Sequence, residues 1–257
     1  MKIGVSIFLI LFCLSITAQE VSKPILFDKA ALSGVGLEQI ELKDTPERKF
    51  FRRPLYRGEE LSAYIVSLNT GTSSFENFGF DEYVEILNGE AIVLPHTAKA
   101  QTFYSQDLFF APKGFQGDWF INAGNNFHYE ISVSSTHRAD TSLVQQNATH
   151  ELISHRMLSG TFMDVQNKPI HKEVLLKGAE LTISVTAEKP QTKSITSNGK
   201  EMIMKLLSGQ ITITDSEGEE HIFYTADYFI LPLGFEGKWS SSGHGLVKYL
   251  TIETSDF

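Results

Sequence analysis

The sequence predicts an all-β protein that consists of two tandem copies of one barrel-like domain. Three observations support this prediction: an internal duplication, many short strand-like runs separated by Gly and Pro turns, and no long stretch with the apolar spacing of a helix. A length of 257 residues suits two units of roughly 100 residues each. Two copies form a tandem pair, since solenoids usually need at least three repeats.

The duplication is clearest in the segment 106–119, QDLFFAPKGFQGDW, which returns as ADYFILPLGFEGKW at 226–239. Six residues of the segment recur at a constant interval of 120 positions: Asp107, Pro112, Gly114, Phe115, Gly117 and Trp119 return as Asp227, Pro232, Gly234, Phe235, Gly237 and Trp239. An ungapped alignment extends from Arg57, paired with Lys177, to Tyr129, paired with Tyr249.

The elements expected within each copy are short strands. Leu61–Val66 is strand-like, and Tyr83–Leu87 runs into Asn88-Gly89, a sequence typical of a two-residue hairpin turn. In the second copy, Leu181–Thr186 alternates apolar and polar residues with the period of a strand that is buried on one face. Strands of this length and spacing favour a sandwich or barrel of the jelly-roll class.

Residues 1–18 have the pattern of a secretory signal peptide. Lys2 precedes the apolar run Ile3–Ile16, and Thr17-Ala18 is a small-residue exit. We therefore expect an exported protein, periplasmic or extracellular, without membrane association after cleavage. An uncleaved anchor is the alternative, although the apolar run is short for a membrane span. Cleavage would remove Cys13, the sole cysteine, and with it any disulfide or thiol chemistry.

The predicted domain organisation after the signal peptide has four parts. It comprises an N-terminal segment at 19–46, a first barrel domain at 47–135, a linker and packing segment at 136–160, and a second barrel domain at 161–257. The net charge of −9 argues against a nucleic-acid partner, because phosphate binding needs clustered Lys and Arg.

The turn sequences resemble a known family. LNGE at 87–90 and LSGQ at 207–210, each followed by D-x-x-x-x-P-x-G-F-x-G-x-W, are similar to the two sequence blocks of cupins. The ending Gly-Phe-x-Gly-x-Trp resembles the cupin subfamily named for ureidoglycine aminohydrolase. The resemblance implies a bicupin, with two double-stranded β-helix (jelly-roll) barrels that each have a pocket at the mouth.

The resemblance also implies where a metal would bind. Cupin enzymes usually hold Fe, Mn, Ni or Zn with a His-x-His-x(3,4)-Glu run and a later His. Glu82 takes the carboxylate position, but Gly117 takes the later His position, and the second copy has Met202 and Gly237 there. The upstream His positions hold Phe75 and Asn77, or Glu76 and Phe78. We therefore expect no metal and no other cofactor.

A variant metal site is the alternative. The resemblance to cupins of the ureidoglycine aminohydrolase type implies a metal-binding motif of Glu-x-His-x-x-x-His with a later Gln. This chain keeps Glu76 and Gln116 of that motif but has Glu82 in place of the second His. Glu76, Glu82 and Gln116 could hold a divalent cation such as Mn weakly, through oxygen atoms.

Glu82 is the candidate catalytic residue, as a general base, because its register would direct it inward. The ligand-pocket candidates are Glu76, Asn77, Gln116, Trp119, His96 and His128. Trp119 could stack on a planar ligand, or it could cap its own core. Asp81 is expected in a solvated turn.

These observations predict an exported bicupin without the usual metal centre, which binds a small polar ligand or has a structural or partner-binding role. The alternative is a metal-dependent hydrolase similar to ureidoglycine aminohydrolase, active in the first barrel. A homodimer is expected by analogy with cupins, unless the two barrels pair within one chain.

Overall fold

A computed structural model describes residues 22–41, 48–124, 127–139, 148–159, 168–197 and 199–255. The predicted signal peptide lies outside the described residues. None of the helices in these ranges is long and apolar enough to cross a membrane.

Short strands dominate the chain. The elements up to the end of the first repeat are β1 (Ile25–Leu26), α1 (Lys29–Leu32), β2 (Glu38–Ile40), β3 (Phe50–Arg57), β4 (Leu61–Leu68), β5 (Gly71–Phe75), β6 (Glu82–Asn88), β7 (Glu90–Pro95), β8 (Gln101–Tyr104), β9 (Leu108–Ala111), β10 (Gly117–Asn122) and β11 (His128–Ser135). The remaining elements are β12 (Glu151–Ile153), α2 (His155–Ser159), β13 (Ile170–Lys177), β14 (Leu181–Glu188), β15 (Thr192–Thr196), β16 (Met202–Ser208), β17 (Gln210–Asp215), β18 (Glu220–Tyr224), β19 (Tyr228–Leu231), β20 (Glu236–Ser242) and β21 (Val247–Thr254).

Each repeat forms a barrel from one large and one small antiparallel sheet, as expected for a jelly roll. In the first barrel the large sheet has the order β12-β9-β6-β11-β4-β3-β2 and the small sheet β5-β10-β7-β8. In the second barrel the corresponding orders are β1-β19-β16-β21-β14-β13 and β15-β20-β17-β18. The prediction of two all-β barrels is thus confirmed.

The short strand that precedes each repeat pairs with the large sheet of the other repeat. β1 precedes the first barrel in sequence but pairs with β19 of the second barrel, and β12 lies between the repeats but pairs with β9 of the first. Each short strand covers the outer edge of a large sheet, which limits open edges that could pair with other chains.

The two large sheets pack against each other through a shared core. Alternate residues of β4 and β14, such as Ile65 and Ile183, contribute to this core. The other face of each large sheet, which includes Val66 and Leu68 in β4, lines the inside of its own barrel. The period of two residues per strand therefore separates the interface from the barrel interior.

The structure corrects two details of the sequence interpretation. The strands on either side of Asn88-Gly89 do not pair with each other: β6 belongs to the large sheet and β7 to the small one. Gly89, with φ of +92°, turns a corner between sheets, and a Cβ there would lie 2.9 Å from His128 Nδ1. The hairpin prediction was therefore wrong, because the motif reports a tight turn and not which strands pair.

The second correction concerns the register of the last strand. Glu130 lies opposite Val66, whereas Tyr249 lies opposite Thr186, the counterpart of Val66. Tyr249 therefore corresponds to Glu130 and not to Tyr129, since the second repeat is one residue shorter in the loop before β21. An ungapped alignment cannot detect this shift.

Candidate functional site

The interior of the first barrel contains a cavity of about 580 Å³. β3, β4, β6 and β11 of the large sheet face it from one side, and β5 and β10 of the small sheet from the other. The residues that line it are Arg48, Phe50, Arg52, Ser62, Tyr64, Val66, Leu68, Ser73, Phe75, Phe78, Phe80, Glu82, Trp119, Ile121, Glu130, Ser132, Ser134 and Arg138. Its volume lies in the range of small-molecule pockets, which are mostly apolar with a few directed polar groups.

Glu82, the predicted catalytic residue, begins β6 and lines the cavity with its side chain almost fully buried. Ser132 of the neighbouring strand β11 donates a hydrogen bond to its carboxylate. Burial, and next the charge of Glu130, raise the pKa of Glu82 to about 8, against the weaker opposing effects of Ser132 and Arg138. A carboxyl group in this state can donate a proton at neutral pH.

Glu130 is the second carboxylate of the cavity, and the sequence interpretation did not single it out. It lies two residues from His128, whose Nε2 is 2.7 Å from Glu130 Oε2. His128 is fully buried but does not line the cavity, so it orients Glu130 instead of meeting a ligand directly. A sequence signal existed, because polar residues alternate with Ile131 and Val133 along β11.

Trp119 lines the cavity from the small sheet and is 7% exposed. Its ring packs in the barrel core against Phe75, Phe78 and Phe109. Its Nε1 is buried and has no hydrogen-bond partner among the described residues. Trp119 therefore belongs both to the core and to the cavity wall.

Arginine side chains of the large sheet and of the segment after β11 bring positive charge to the cavity wall. Arg52 lies over the ring of Tyr64, with 5.2 Å between its guanidinium carbon and the ring centroid. Arg138 lies over Phe80 at 4.7 Å, and its Nη1 is 3.5 Å from the buried Glu180 carboxylate of the second barrel. These cation–π contacts keep the guanidinium groups near the cavity.

The other predicted pocket residues lie elsewhere. Glu76, Asn77, Gln116 and His96 are exposed and do not line the cavity. The backbone N–H of His96 donates to the carbonyl of Gln116 at 3.1 Å, so these two residues form part of a surface turn. Glu82 is the one member of the alternative metal set, Glu76, Glu82 and Gln116, that lines the cavity.

The residues of the cavity do not fit the usual cupin metal. Among the residues that the structure describes, no imidazole lines it, and the carboxylates at its wall are Glu82 and Glu130. At Gly117, the position of the later family histidine, a Cβ would lie 2.3 Å from the carbonyl oxygen of Leu94. At Gly237 it would lie 2.6 Å from the carbonyl oxygen of Thr214. Both repeats therefore exclude a ligand side chain at this position by close backbone packing.

Within the described ranges, one group of His, Cys, Asp and Glu side chains could hold a metal ion: Asp215, Glu219 and His221 at the β17–β18 turn. A lysine already interacts with it, since Lys23 Nζ is 2.8 Å from Glu219 and 4.0 Å from Asp215. Asp215 also accepts the backbone N–H groups of Glu217 and Glu219. These ion pairs and hydrogen bonds are the contacts of side chains that stabilise a turn.

The interior of the second barrel is occupied by an ion pair. Glu188, at the end of β14, is fully buried and accepts hydrogen bonds from Trp239 Nε1 at 2.7 Å and Lys193 Nζ at 2.6 Å. Gln191 donates a third, at 3.1 Å, and the Lys193 ammonium lies over the Trp239 ring at 5.2 Å from its centroid. At the corresponding positions the first barrel has Leu68 and Ser73.

The EutQ-like cupin domain matches residues 57–129 and 184–249, which together make up more than half of the chain. The chain belongs to this cupin family. Comparison with curated proteins found no match.

Solved structures support the cupin fold over almost the whole chain. A protein of unknown function from Pseudomonas syringae pv. tomato is similar with 16% identity and a TM-score of 0.65, over 91% of this chain and 100% of that one. Protein Ylba from E. coli is similar with 12% identity and a TM-score of 0.59, over 93% and 95% of the two chains. Salicylate 1,2-dioxygenase from Pseudoaminobacter salicylatoxidans gives 10% identity and a TM-score of 0.62, over 93% and 83%. At identities this low, the similarity supports the same fold for this cupin but does not support a shared activity.

Proposed function

We propose that this cupin is an exported protein that binds a small polar ligand in its first barrel, while the second barrel gives structural support. The observation that carries the proposal is the contrast between the two interiors. The first contains a cavity of about 580 Å³ lined by Glu82, Glu130 and Trp119, whereas in the second the buried Glu188 accepts hydrogen bonds from Lys193 and Trp239 at the corresponding strand positions.

Thermal-shift screening of small polar compounds tests this proposal. Ser73 of β5 lines the cavity, whereas the neighbouring Thr72 is exposed. We expect the wild type and Thr72→Phe to respond to the same compounds, and Ser73→Phe to lose the response because a phenyl ring enters the cavity. A compound that stabilises Ser73→Phe as strongly as the wild type would place binding outside the first barrel.

Binding without a transition metal is part of the proposal. Its support is the donor set described above, which within the described ranges has two carboxylates and no imidazole at the cavity wall. Metal analysis of the purified mature protein should give far less than one equivalent per chain. One tightly held equivalent that is lost in Glu82→Gln would overturn this part.

Export remains a proposal based on residues 1–18, with Lys2 before an apolar run and Ala18 before the cleavage point. Mass analysis of protein secreted by an expression host should show a chain that begins at Gln19. A retained Met1 in a membrane fraction would favour the uncleaved anchor. The predicted homodimer is tested on the same material by analytical ultracentrifugation.

A hydrolase that resembles ureidoglycine aminohydrolase is the second candidate, and Glu82 is the observation that favours it. Burial gives its carboxyl a pKa of about 8, which suits a general acid or base near neutral pH. If this candidate holds, Glu82→Gln should lower kcat at least 100-fold on a ureido substrate and leave the fold intact. Lack of turnover by the wild type, with or without added Mn²⁺, would leave binding as the function.

A further inference from the structure

The second barrel contains the carboxylate of Glu188 where the first barrel has Leu68, and the local frameworks match. Trp119 pairs across the strands with Ser73 and Val93, and Trp239 pairs in the same way with Lys193 and Ile213. The two tryptophans thus have equivalent positions on β10 and β20. Their hydrogen bonding differs, because the indole of Trp239 has a partner and that of Trp119 has none among the described residues.

The partner in the second barrel is a carboxylate on the facing sheet. Glu188 lies opposite Val247, as Leu68 lies opposite His128 in the first barrel. Leu68 therefore takes the backbone position of Glu188 but offers no acceptor to the indole. A buried donor without a partner carries a free-energy penalty that a bound acceptor would remove.

We propose that the first barrel binds a small organic carboxylate, one oxygen of which accepts the Trp119 Nε1–H in the place that the Glu188 side chain takes in the second barrel. This inference rests on the proposed binding function and adds the chemical class of the ligand. In this interpretation, Glu188 is a built-in counterpart of the ligand, which already accepts the Trp239 Nε1–H in the second barrel.

The charges around the cavity agree with an anion. Three arginines line it, Arg48, Arg52 and Arg138, against the two carboxyl groups of Glu82 and Glu130. At neutral pH the Glu82 carboxyl is mostly protonated, since its pKa is about 8. Glu130 is hydrogen-bonded to His128. A carboxylate would therefore meet guanidinium groups at the cavity wall, where a protonated Glu82 could also donate to it.

The Trp119 nitrogen is covered by protein in this structure. The ligand must therefore displace a neighbouring side chain to reach it, and Leu68, which lines the cavity and packs in the same core cluster, is the candidate. Leucine can change rotamer without losing a hydrogen bond. The apolar remainder of the ligand would then lie among the phenyl rings of the cavity wall.

Nuclear magnetic resonance of the indole N–H groups tests the proposal directly. The chain contains two tryptophans, so a ¹⁵N-labelled protein has two indole signals, and Trp119→Phe assigns them. The probes are acetate, succinate and benzoate, each with its uncharged amide as matched control. We expect the carboxylates to move the Trp119 signal at concentrations at least tenfold lower than the amides, while the Trp239 signal stays in place.

Leu68→Glu supplies the carboxylate within the chain. In this variant the Trp119 signal should move towards the position of the Trp239 signal, and the carboxylate probes should no longer shift it. Leu94→Glu adds the same charge on the outer surface, where Leu94 is 43% exposed, and should leave the titration unchanged. If Leu68→Glu does not fold, the wild-type titration decides alone.

Equal response to acids and amides, or no shift of the Trp119 signal by any acid, would overturn the carboxylate inference. The proposed binding function is tested separately, by the thermal-shift screen. If uncharged compounds from the thermal-shift screen bind in a manner that Ser73→Phe abolishes, the function stands and only the ligand class falls. If no compound gives binding that depends on Ser73, both fail.

Discussion

Asp81 and Glu201, at equivalent positions in the two repeats, each bind backbone amides at the start of a strand in the opposite barrel. Asp81 Oδ2 accepts from the N–H groups of Glu180, at 2.6 Å, and Leu181, at 3.2 Å. Glu201 Oε2 accepts from the corresponding amides of the first repeat, at 3.1 and 2.8 Å. The contact is reciprocal, so one carboxylate from each repeat joins its own barrel to the other. The expectation of a solvated turn at Asp81 was wrong, because Asp81 is 1% exposed.

Asp81→Ala should destabilise the protein strongly, by about 2–4 kcal/mol, because it leaves buried amides of both barrels without an acceptor. Glu201→Ala should cost a similar amount. The measurement is equilibrium unfolding in urea, with Glu236→Ala, at an exposed position, as the control. A loss for Asp81→Ala that matches the control would mean that other contacts hold the two barrels.

The fold could be predicted because its signals are local and occur twice. Gly117 and Gly237 recur at one interval because each lies against a backbone carbonyl of the neighbouring strand, where a side chain would collide. This constraint acts between neighbouring strands of each small sheet and is present in both copies, so the sequence shows it as two glycines at the repeat interval. The same close packing leaves no room for the histidine that metal-binding cupins are expected to have at this position, so that ligand is absent from both repeats.

The candidate site was only partly predictable, because it depends on which strands face each other. Glu82 and Trp119 were predicted, and both line the cavity. Glu130 and Arg138 were missed, the first because ungapped alignment paired its neighbour Tyr129 with Tyr249, the second because it was placed in a linker. Glu188 corresponds to Leu68 at the constant interval of the repeat, but its role appears only when Trp239 is seen to donate to it.

The two tryptophans should differ in their contribution to stability. Trp239→Phe removes the hydrogen bond to Glu188 and leaves that buried carboxylate with fewer donors, so a loss of about 3 kcal/mol is expected. Trp119→Phe removes packing but no hydrogen bond to a described residue, and about 1–2 kcal/mol is expected. Unfolding of both variants in guanidinium chloride gives the comparison. Equal losses would indicate that the bond between Trp239 and Glu188 contributes little net stability.

Glu82 should make the protein less stable as pH rises. Its folded pKa, about 8, lies above the usual value of 4.5 for a glutamate, so the folded state retains a proton that the unfolded chain releases. Stability from this group is complete below pH 4.5 and is lost as pH rises through 8, by up to about 5 kcal/mol. Glu82→Gln should flatten the alkaline side of the profile. Parallel wild-type and variant curves of unfolding free energy between pH 5 and pH 9 would contradict this prediction.

His150 should act on the opposite side of the profile. It is 1% exposed, lies among the rings of Phe103, Phe109, Phe115 and Trp119, and neither ring nitrogen has a hydrogen-bond partner among the described residues. Burial lowers the pKa of His150 to about 3, from the usual value of 6.5 for a histidine. In acid the unfolded chain therefore binds a proton at His150 that the folded state does not bind. The stability from this group is complete above pH 6.5 and is lost as pH falls towards 3.

His150→Leu removes this titration and keeps an apolar side chain of similar size in the aromatic cluster. We expect the free energy of unfolding of the wild type to fall between pH 7 and pH 4.5 by about 2 kcal/mol more than that of the variant. His155→Gln, at an exposed position at the start of α2, should follow the wild-type curve. If His150→Leu loses stability in acid as steeply as the wild type, the proton is taken up elsewhere. The imidazole would then have to remain neutral in both states or become charged while folded, and the second case requires solvent to reach a ring that is enclosed by aromatic side chains.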